Sequence, residues 1–228
     1  MKKEQLERTL GLLKEEGVNK LSKATVLVCG LGGVGGTALE ALARSGVENF
    51  VLIDFDIIAP SNLNRQILFT YDDIGKNKVE IAKKRILSIN PECSIAILNK
   101  RIDNNIQTII KDYKISFILD AIDDVDGKIA LAKYALDNNI PIITSLGMAN
   151  RLNPTKVIIT RLDKTTDDPL AKKLRYEYKK AGIDTKAINV AFSLEHPHKD
   201  GNKLYSMMMV PSSAGLAIAG YIIEQLIK

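Results

Sequence analysis

Gly30-Leu31-Gly32-Gly33-Val34-Gly35 is the first stretch of the chain whose residue types could do chemistry. An apolar run over 24–29 precedes it, and a helical pattern with Leu39, Leu42 and Ala43 inward follows, so it reads as a strand-to-helix turn. Glycine suits such a turn because positive φ is needed and a phosphate can approach the backbone only where no Cβ intervenes. The helix N-terminus then offers unpaired N–H groups and a partial positive charge. Asp54 ends the next strand, about twenty residues on, where a carboxylate can accept hydrogen bonds from ribose hydroxyls. Gly30, Gly32, Gly33, Gly35 and Asp54 are therefore candidate nucleotide-binding residues. On these alone NAD fits as well as ATP, and a glycine turn that merely closes packing is a third reading.

The connection over 55–75 is longer than an ordinary strand-to-helix loop and too polar to be core. It carries Asp56, then Ser61-Asn62-Leu63-Asn64-Arg65-Gln66, and leads to Gly75-Lys76-Asn77-Lys78. Arg65 and Lys78 fall on the carboxyl edge of the sheet, where ligands of this architecture bind. Hydride transfer has no use for cations there. Attack on the α-phosphate of ATP does, because negative charge develops on the departing pyrophosphate. Each charge-assisted hydrogen bond is worth about 1.5–3 kcal/mol. Asn62 and Gln66 join this candidate set. No Gly-x-x-x-x-Gly-Lys-Ser/Thr occurs, so the site is not a P-loop. Further on, Asp120, Asp123 and Asp124 crowd the end of another strand. Magnesium, held by one or two carboxylates and by phosphate oxygens, would relieve their repulsion. Asp123 is the candidate ligand, whereas Asp124 or Asp126 also reads as a helix cap.

The elements that must position these residues alternate. Helical patterns cover 4–20, 76–89 and about 126–138, and strands cover 24–29, 50–53, 94–98, 115–119 and 140–145. That predicts an α/β, Rossmann-like, doubly wound and mostly parallel sheet. Beyond residue 150 the runs 156–161, 189–194 and 204–210 read as strands. They predict a mixed, partly antiparallel C-terminal extension. Residues 214–223 read as a buried C-terminal helix. With no repeat or linker, the 228 residues are expected to form one domain. Its parts would be an N-terminal helical segment (1–23), a nucleotide-binding core (24–150) and a substrate- or dimer-side extension (151–228).

The chain is 46% hydrophobic and 26% charged, and no apolar run reaches the roughly 18–20 residues that span a bilayer. Residues 1–8 are charged and do not resemble a signal peptide. Cys29 and Cys93 are the only cysteines. They cannot form a paired metal site, and a reducing cytoplasmic setting fits them. The net charge of +5 favours a polyanionic partner such as RNA without requiring one. Residues 169–181, dense in Lys172, Lys173, Arg175, Lys179 and Lys180, read as a basic helix. With Arg151, Arg161 and Lys164 it could hold RNA phosphates, and Tyr176 or Tyr178 could stack on bases; a solvated helix face is the alternative. His196 and His198, either side of Pro197, read as a surface turn.

Taken in order, Gly-x-Gly-Gly-x-Gly, Asp54-x-Asp56, Asn62-x-x-Arg65-Gln66, Gly75-x-x-Lys78 and Asp120-x-x-Asp123-Asp124 resemble the superfamily of ubiquitin-activating, molybdopterin- and thiamine-pathway adenylating enzymes. The resemblance implies that Asp54 holds the ribose, that Asn62, Arg65 and Lys78 bind the triphosphate, and that Asp123 holds magnesium. It implies that Arg8 reaches into the partner's site of a homodimer, against the plain reading of a solvated charge.

Longer segments, among them residues 8–17, 43–47, 89–93, 147–154, 168–171 and 210–216, are similar to the tRNA threonylcarbamoyladenosine dehydratase branch. Some members of that branch carry a cysteine where Asp168 stands, which removes any covalent role for a thiol there. Some also continue into an apolar tail, whereas this chain ends at Lys228 and is expected to be soluble. The resemblance implies ATP, magnesium and tRNA bearing threonylcarbamoyladenosine as ligands. A structural monovalent cation and a sulfur-relay protein partner are implied more distantly and left open by the residues. The alternative is adenylation of the C-terminal Gly-Gly of a ubiquitin-like sulfur carrier. It is weakened because no Cys-x-x-Cys pair is present.

Overall fold

The computed structural model describes residues 3–198, 201 and 203–228, Lys3 in its backbone only. Seven strands form one sheet: β1 (Thr25–Cys29), β2 (Asn49–Ile53), β3 (Ser94–Leu98), β4 (Phe117–Asp120), β5 (Ile142–Ser145), β6 (Val157–Arg161) and β7 (Asn189–Ser193). Their order is β3-β2-β1-β4-β5-β7-β6. Every pairing is parallel except β6 against β7. This is the doubly wound sheet with an antiparallel edge that the sequence predicts.

Burial on both faces explains why β1 is apolar throughout. Val26 and Val28 point into one core and Leu27 and Cys29 into the other, as the two-residue strand period requires. The first core is closed by α2 (Gly33–Ser45), α3 (Lys78–Ile89) and α7 (Met209–Leu226). The second is closed by α4 (Ile106–Ile110), α5 (Val125–Asp137) and α6 (Pro169–Lys180). Each fully buried Leu or Ile contributes about 1.5–3 kcal/mol.

Two expectations change. The stretch 204–210 is not a strand. Leu204, Tyr205, Met207, Met208 and Met209 are all exposed, and α7 already begins at Met209. No ladder holds this backbone; one backbone bond, Asn150 N–H to Tyr205 O at 2.7 Å, and several side chains do. Asn150 Oδ1 accepts from Tyr205 N–H at 2.7 Å, its amide donates to Lys203 O at 3.0 Å, and Asn64 donates to Ser206 O at 2.8 Å. Pro211 then sits in the first turn of α7, where no N–H is required. The N-terminal helix, α1 (Glu7–Lys23), starts later than the sequence predicts and is broken at Lys14, whose φ is 60°.

The C-terminal helix stands where the sequence predicts it. Gly215 lets it lie against α2, since a Cβ there would stand 2.5 Å from Val34 O. Among the described residues no helix is long and apolar enough to cross a membrane.

Candidate active site

The strand order reverses between β1 and β4, and a crevice opens at the carboxyl ends of strands where this happens. A cleft of about 620 Å³ lies there. It is lined by Gly30, Gly32, Gly33, Asp54, Asp56, Asn62, Arg65, Gln66, Lys78 and Asp123 among others. Residues scattered over nearly a hundred positions thus converge on one site. Of the predicted residues only Gly35 and Arg8 do not line it. Arg8 is exposed on α1.

The glycines do different jobs. Gly30 has φ +88°, and a Cβ there would meet Ala121 O at 2.6 Å. Gly35 has no such freedom to supply; it serves packing, because its Cβ would fall 1.9 Å from Gly30 O. Gly32 faces open space, with only Gln66 Nε2 at 3.9 Å from a Cβ. Here a phosphate can come close to the backbone at the start of α2, whose N-cap has no side-chain partner.

Asp54 is buried and binds the loop directly. Its Oδ2 accepts from Leu31 N–H at 2.7 Å and its Oδ1 from Asp56 N–H at 2.8 Å. Burial raises its carboxyl above the usual range, while Lys78 and the two N–H donors oppose that rise. The carboxylate therefore ties the glycine turn to the end of β2, with lone pairs left for a ribose.

The loop that follows is stapled rather than loose. Ile57 bridges Asn77, Ile58 N–H donates to Lys76 O, and Lys78 N–H donates to Asp56 O. Lys78 is buried at the head of α3, and its ammonium lies 2.6 Å from Asp56 Oδ2. Asn62 closes a short 3-10 turn, accepting from Ala59 N–H at 3.0 Å. Arg65 donates through Nη1 to Ser61 O and Asn64 Oδ1, at 2.8 and 2.9 Å. Its carbonyl would touch a Cβ on Gly33 at 3.1 Å, so the loop packs onto the phosphate turn. Gln66 is 6% exposed, yet its Oε1 has no hydrogen-bond partner. A buried polar atom left open in a cleft lining is a feature that a ligand can satisfy.

The carboxylates after β4 do not form the mutually repelling knot that the sequence suggests. Asp120 is fully buried against Lys128 and accepts from Thr144 Oγ1 at 3.0 Å. Asp124 caps α5 through Gly127 N–H at 2.9 Å and pairs with Arg101 at 3.0 Å, which together hold its carboxyl below the usual range. Asp123 alone is exposed, with no hydrogen-bond or ion-pair partner among the described residues. No group of three or more potential metal ligands from His, Cys, Asp and Glu occurs among them. One carboxylate completed by phosphate oxygens and water is the arrangement magnesium ordinarily takes.

Three side chains escape a reading of the sequence alone. Lys128 lies one turn after Asp124 on the inward side of α5, where it is fully buried against Asp120 and Ser145 O. Arg101 lies over the Phe55 ring at 5.9 Å, and both line the cleft. Two expected RNA contacts fail. Arg151 is buried, bound to Asp168 at 2.9 Å, because Asp168 caps α6 and needs a cation beside it. Tyr178 is fully buried, its hydroxyl donating to Lys128 O. Arg161 is engaged with Asp163 at 3.0 Å. His198 pairs with Glu195 at 3.1 Å and His196 lies 3.9 Å from Asp167, consistent with a surface turn.

A family model, the ThiF family, matches residues 5–228. The chain belongs to the ThiF family. Among its relatives, the tRNA threonylcarbamoyladenosine dehydratase of Bacillus subtilis is 38% identical over 232 residues, covering 94% of this chain and 91% of the relative. The crystal structure of Escherichia coli tRNA N6-threonylcarbamoyladenosine dehydratase with AMP superposes with a TM-score of 0.93 at 32% identity, covering 98% of this chain and 94% of that one. The same E. coli protein in complex with ATP gives an equal TM-score of 0.93. The superposition takes in nearly the whole chain, so the antiparallel β6–β7 edge and α7 are shared, not only the nucleotide core.

Proposed function

We propose that this chain is an ATP-dependent tRNA threonylcarbamoyladenosine dehydratase. The observation that carries the reading is the Gly32 opening at the head of α2, bounded by buried Asp54, Lys78 and Gln66. It suits a nucleotide whose phosphates lie on that helix N-terminus and whose ribose meets Asp54. Likeness over nearly the full chain to dehydratases, one of them solved with AMP and with ATP, supports the same substrate.

In the reaction, the threonyl carboxylate on the tRNA adenosine attacks the α-phosphorus of ATP. A P–O bond forms, and the bond to pyrophosphate breaks. A nitrogen of the same modification then attacks the activated carbonyl, loses its proton and expels AMP. The nucleoside has lost the elements of water. Because the attacking nitrogen is tethered to the carbonyl, proximity replaces an enzyme nucleophile. That agrees with two buried cysteines, neither in the cleft lining. Arg65 and Lys78 would neutralise charge on the departing pyrophosphate. Lys78 would do so by sharing its ammonium with Asp56. Asp123 would hold magnesium, which supplies charge neutralisation on the phosphates when bound.

Further parts of the reading rest on family likeness. The enzyme acts as a homodimer in which Arg8 enters the partner's site, consistent with its exposure on α1. It works in the cytoplasm, where its substrate is. A structural monovalent cation and a sulfur-relay partner belong to the same likeness.

Mass spectrometry of nucleosides tests this. The enzyme is incubated with ATP, magnesium and tRNA bearing threonylcarbamoyladenosine, and the tRNA is then gently digested. Loss of one water, dependent on ATP and abolished by Arg65→Ala or Asp123→Ala, is expected. An unchanged nucleoside beside ATP–pyrophosphate exchange driven by a Gly-Gly-ending protein would replace this reading with sulfur-carrier activation.

A further inference from the structure

Helix α6 presents one unusually uniform face. Ala171, Leu174 and Tyr178 turn inward and are fully buried. Lys172, Lys173, Tyr176, Lys179 and Lys180 recur at i, i+1, i+4, i+7 and i+8, which places them together on the opposite side. All five are exposed, and Tyr176, 69% exposed, lies at the centre of the four lysines. None of the four lysines has an ion-pair partner among the described residues, in contrast to Arg161 with Asp163 and Arg151 with Asp168. Four unneutralised lysines around one free ring is not what solubility alone requires, since surface charges are usually mixed in sign.

The helix lies beside the active site. It packs on α5, where the Tyr178 hydroxyl donates to Lys128 O, and Asp124, the N-cap of α5, pairs with Arg101 at 3.0 Å. Asp124 lines the cleft beside Lys100 and Arg101. Cations thus stand both in the cleft lining and on α6, the helix packed beside α5.

We infer that the outer face of α6 (Lys172, Lys173, Tyr176, Lys179 and Lys180) is the surface on which the enzyme holds its tRNA. The lysines take backbone phosphates and Tyr176 stacks an unpaired base, so the modified nucleoside is delivered to the adjoining cleft. The assignment rests on the proposed tRNA substrate. RNA fits better than an anionic membrane because the apolar side of α6 is already spent on the protein core, leaving nothing to insert between lipids. A flexible single-stranded loop suits a lone exposed ring, because unstacked bases pack on aromatic side chains.

The test compares the full chain with two quadruple variants, in which Lys172, Lys173, Lys179 and Lys180 all become Gln or all become Arg. A separate Tyr176→Ala variant completes the set. The probe is tRNA bearing threonylcarbamoyladenosine, with affinity measured across salt concentrations. The Gln variant is expected to lower the slope of log affinity against log salt by about 3, at roughly 0.7–0.9 per lost phosphate contact. The Arg variant retains the slope, and Tyr176→Ala binds about tenfold more weakly at every salt concentration. AMP affinity stays within about twofold, which excludes misfolding as the cause.

Unchanged tRNA affinity and slope in the Gln variant would overturn the assignment. So would lysine-dependent retention on phosphatidylserine vesicles without tRNA binding. Conversion of the nucleoside is scored separately. A wild-type enzyme that binds tRNA through α6 but leaves the nucleoside unchanged sinks the cyclisation reading and spares this one. Normal conversion by the Gln variant with an unaltered KM for tRNA does the reverse.

Discussion

Lys128 Nζ stands 3.0 Å from Asp120 Oδ1 with both side chains fully buried. The ammonium also donates to Ser145 O at 2.9 Å, and Thr144 Oγ1 and Ile122 N–H donate to the same aspartate. One ion pair therefore ties the ends of β4 and β5 to α5, directly beneath the turn that carries Asp123. Ala121 O in that turn is the atom that forbids a side chain at Gly30. The pair is a strut for the glycine turn and for Asp123 at once.

Breaking a buried pair leaves an uncompensated charge, which costs about 3–5 kcal/mol. Lys128→Met is expected to lose that much in urea unfolding. The double variant Asp120→Asn with Lys128→Met should recover part of it, since removing both charges also removes the desolvation cost. A single variant within about 1 kcal/mol of wild type, well short of what an uncompensated buried charge costs, would show that the pair is no such strut.

The two glycines Gly32 and Gly35 should fail differently. A methyl on Gly35 meets the Gly30 carbonyl at 1.9 Å, so Gly35→Ala must move backbone. It should cost about 1–3 kcal/mol of stability and abolish AMP binding. Gly32→Ala meets nothing closer than Gln66 Nε2, and its φ of −76° is allowed to alanine. Its melting temperature should match wild type while AMP binding falls, because the methyl occupies the approach of a phosphate. Equal loss of stability in both variants would refute the division of roles.

Acid should weaken nucleotide binding earlier than an ordinary aspartate allows. Burial raises the Asp54 carboxyl, more than Lys78 and its N–H donors lower it. A raised acid takes up its proton at a higher pH, and the protonated form loses acceptor capacity toward Leu31, Asp56 and a ribose. AMP affinity measured by calorimetry should therefore begin to fall above the usual carboxylate range as pH drops. Asp54→Asn should bind weakly at every pH and lose that dependence. A wild-type profile flat down to the ordinary aspartate range would contradict the placement.

Much of this was legible in the chain because the signals were local. The glycine turn follows an apolar strand and opens a helix, so Gly30, Gly32, Gly33 and Asp54 could be placed together at one sheet edge from spacing, though not matched to one nucleotide. The cleft-lining residues of 55–78 were recoverable because an overlong polar loop at a sheet edge is itself unusual. What spacing could not show was partnership. Asp120, Asp123 and Asp124 are alike in sequence and differ only in what surrounds them: a lysine eight residues on, nothing, and a helix N-terminus. Arg151 and Tyr178 read as surface groups because their burial depends on α6 returning across α5. Residues 204–210 have strand composition but join no ladder of the sheet, and Asn150 and Asn64 hold them instead.

Asp124 supplies the last expectation. It accepts from Gly127 N–H at 2.9 Å as the N-cap of α5 and pairs with Arg101 at 3.0 Å. Its carboxyl is depressed, chiefly by the Gly127 bond. A depressed acid contributes stability above its unfolded pKa, about 3.9, and that contribution disappears as pH falls through the folded value. Asp124→Ala should then cost about 0.5–2 kcal/mol near neutrality, the ordinary worth of a cap. Asp124→Asn should retain most of it, since asparagine caps equally well. The difference between wild type and Asp124→Ala should close in acid, below the ordinary aspartate range. Chemical unfolding at several pH values reads this directly. A penalty that persists unchanged into strong acid would mean the carboxylate is not the capping group, and that the side chain matters only for its volume beside Arg101.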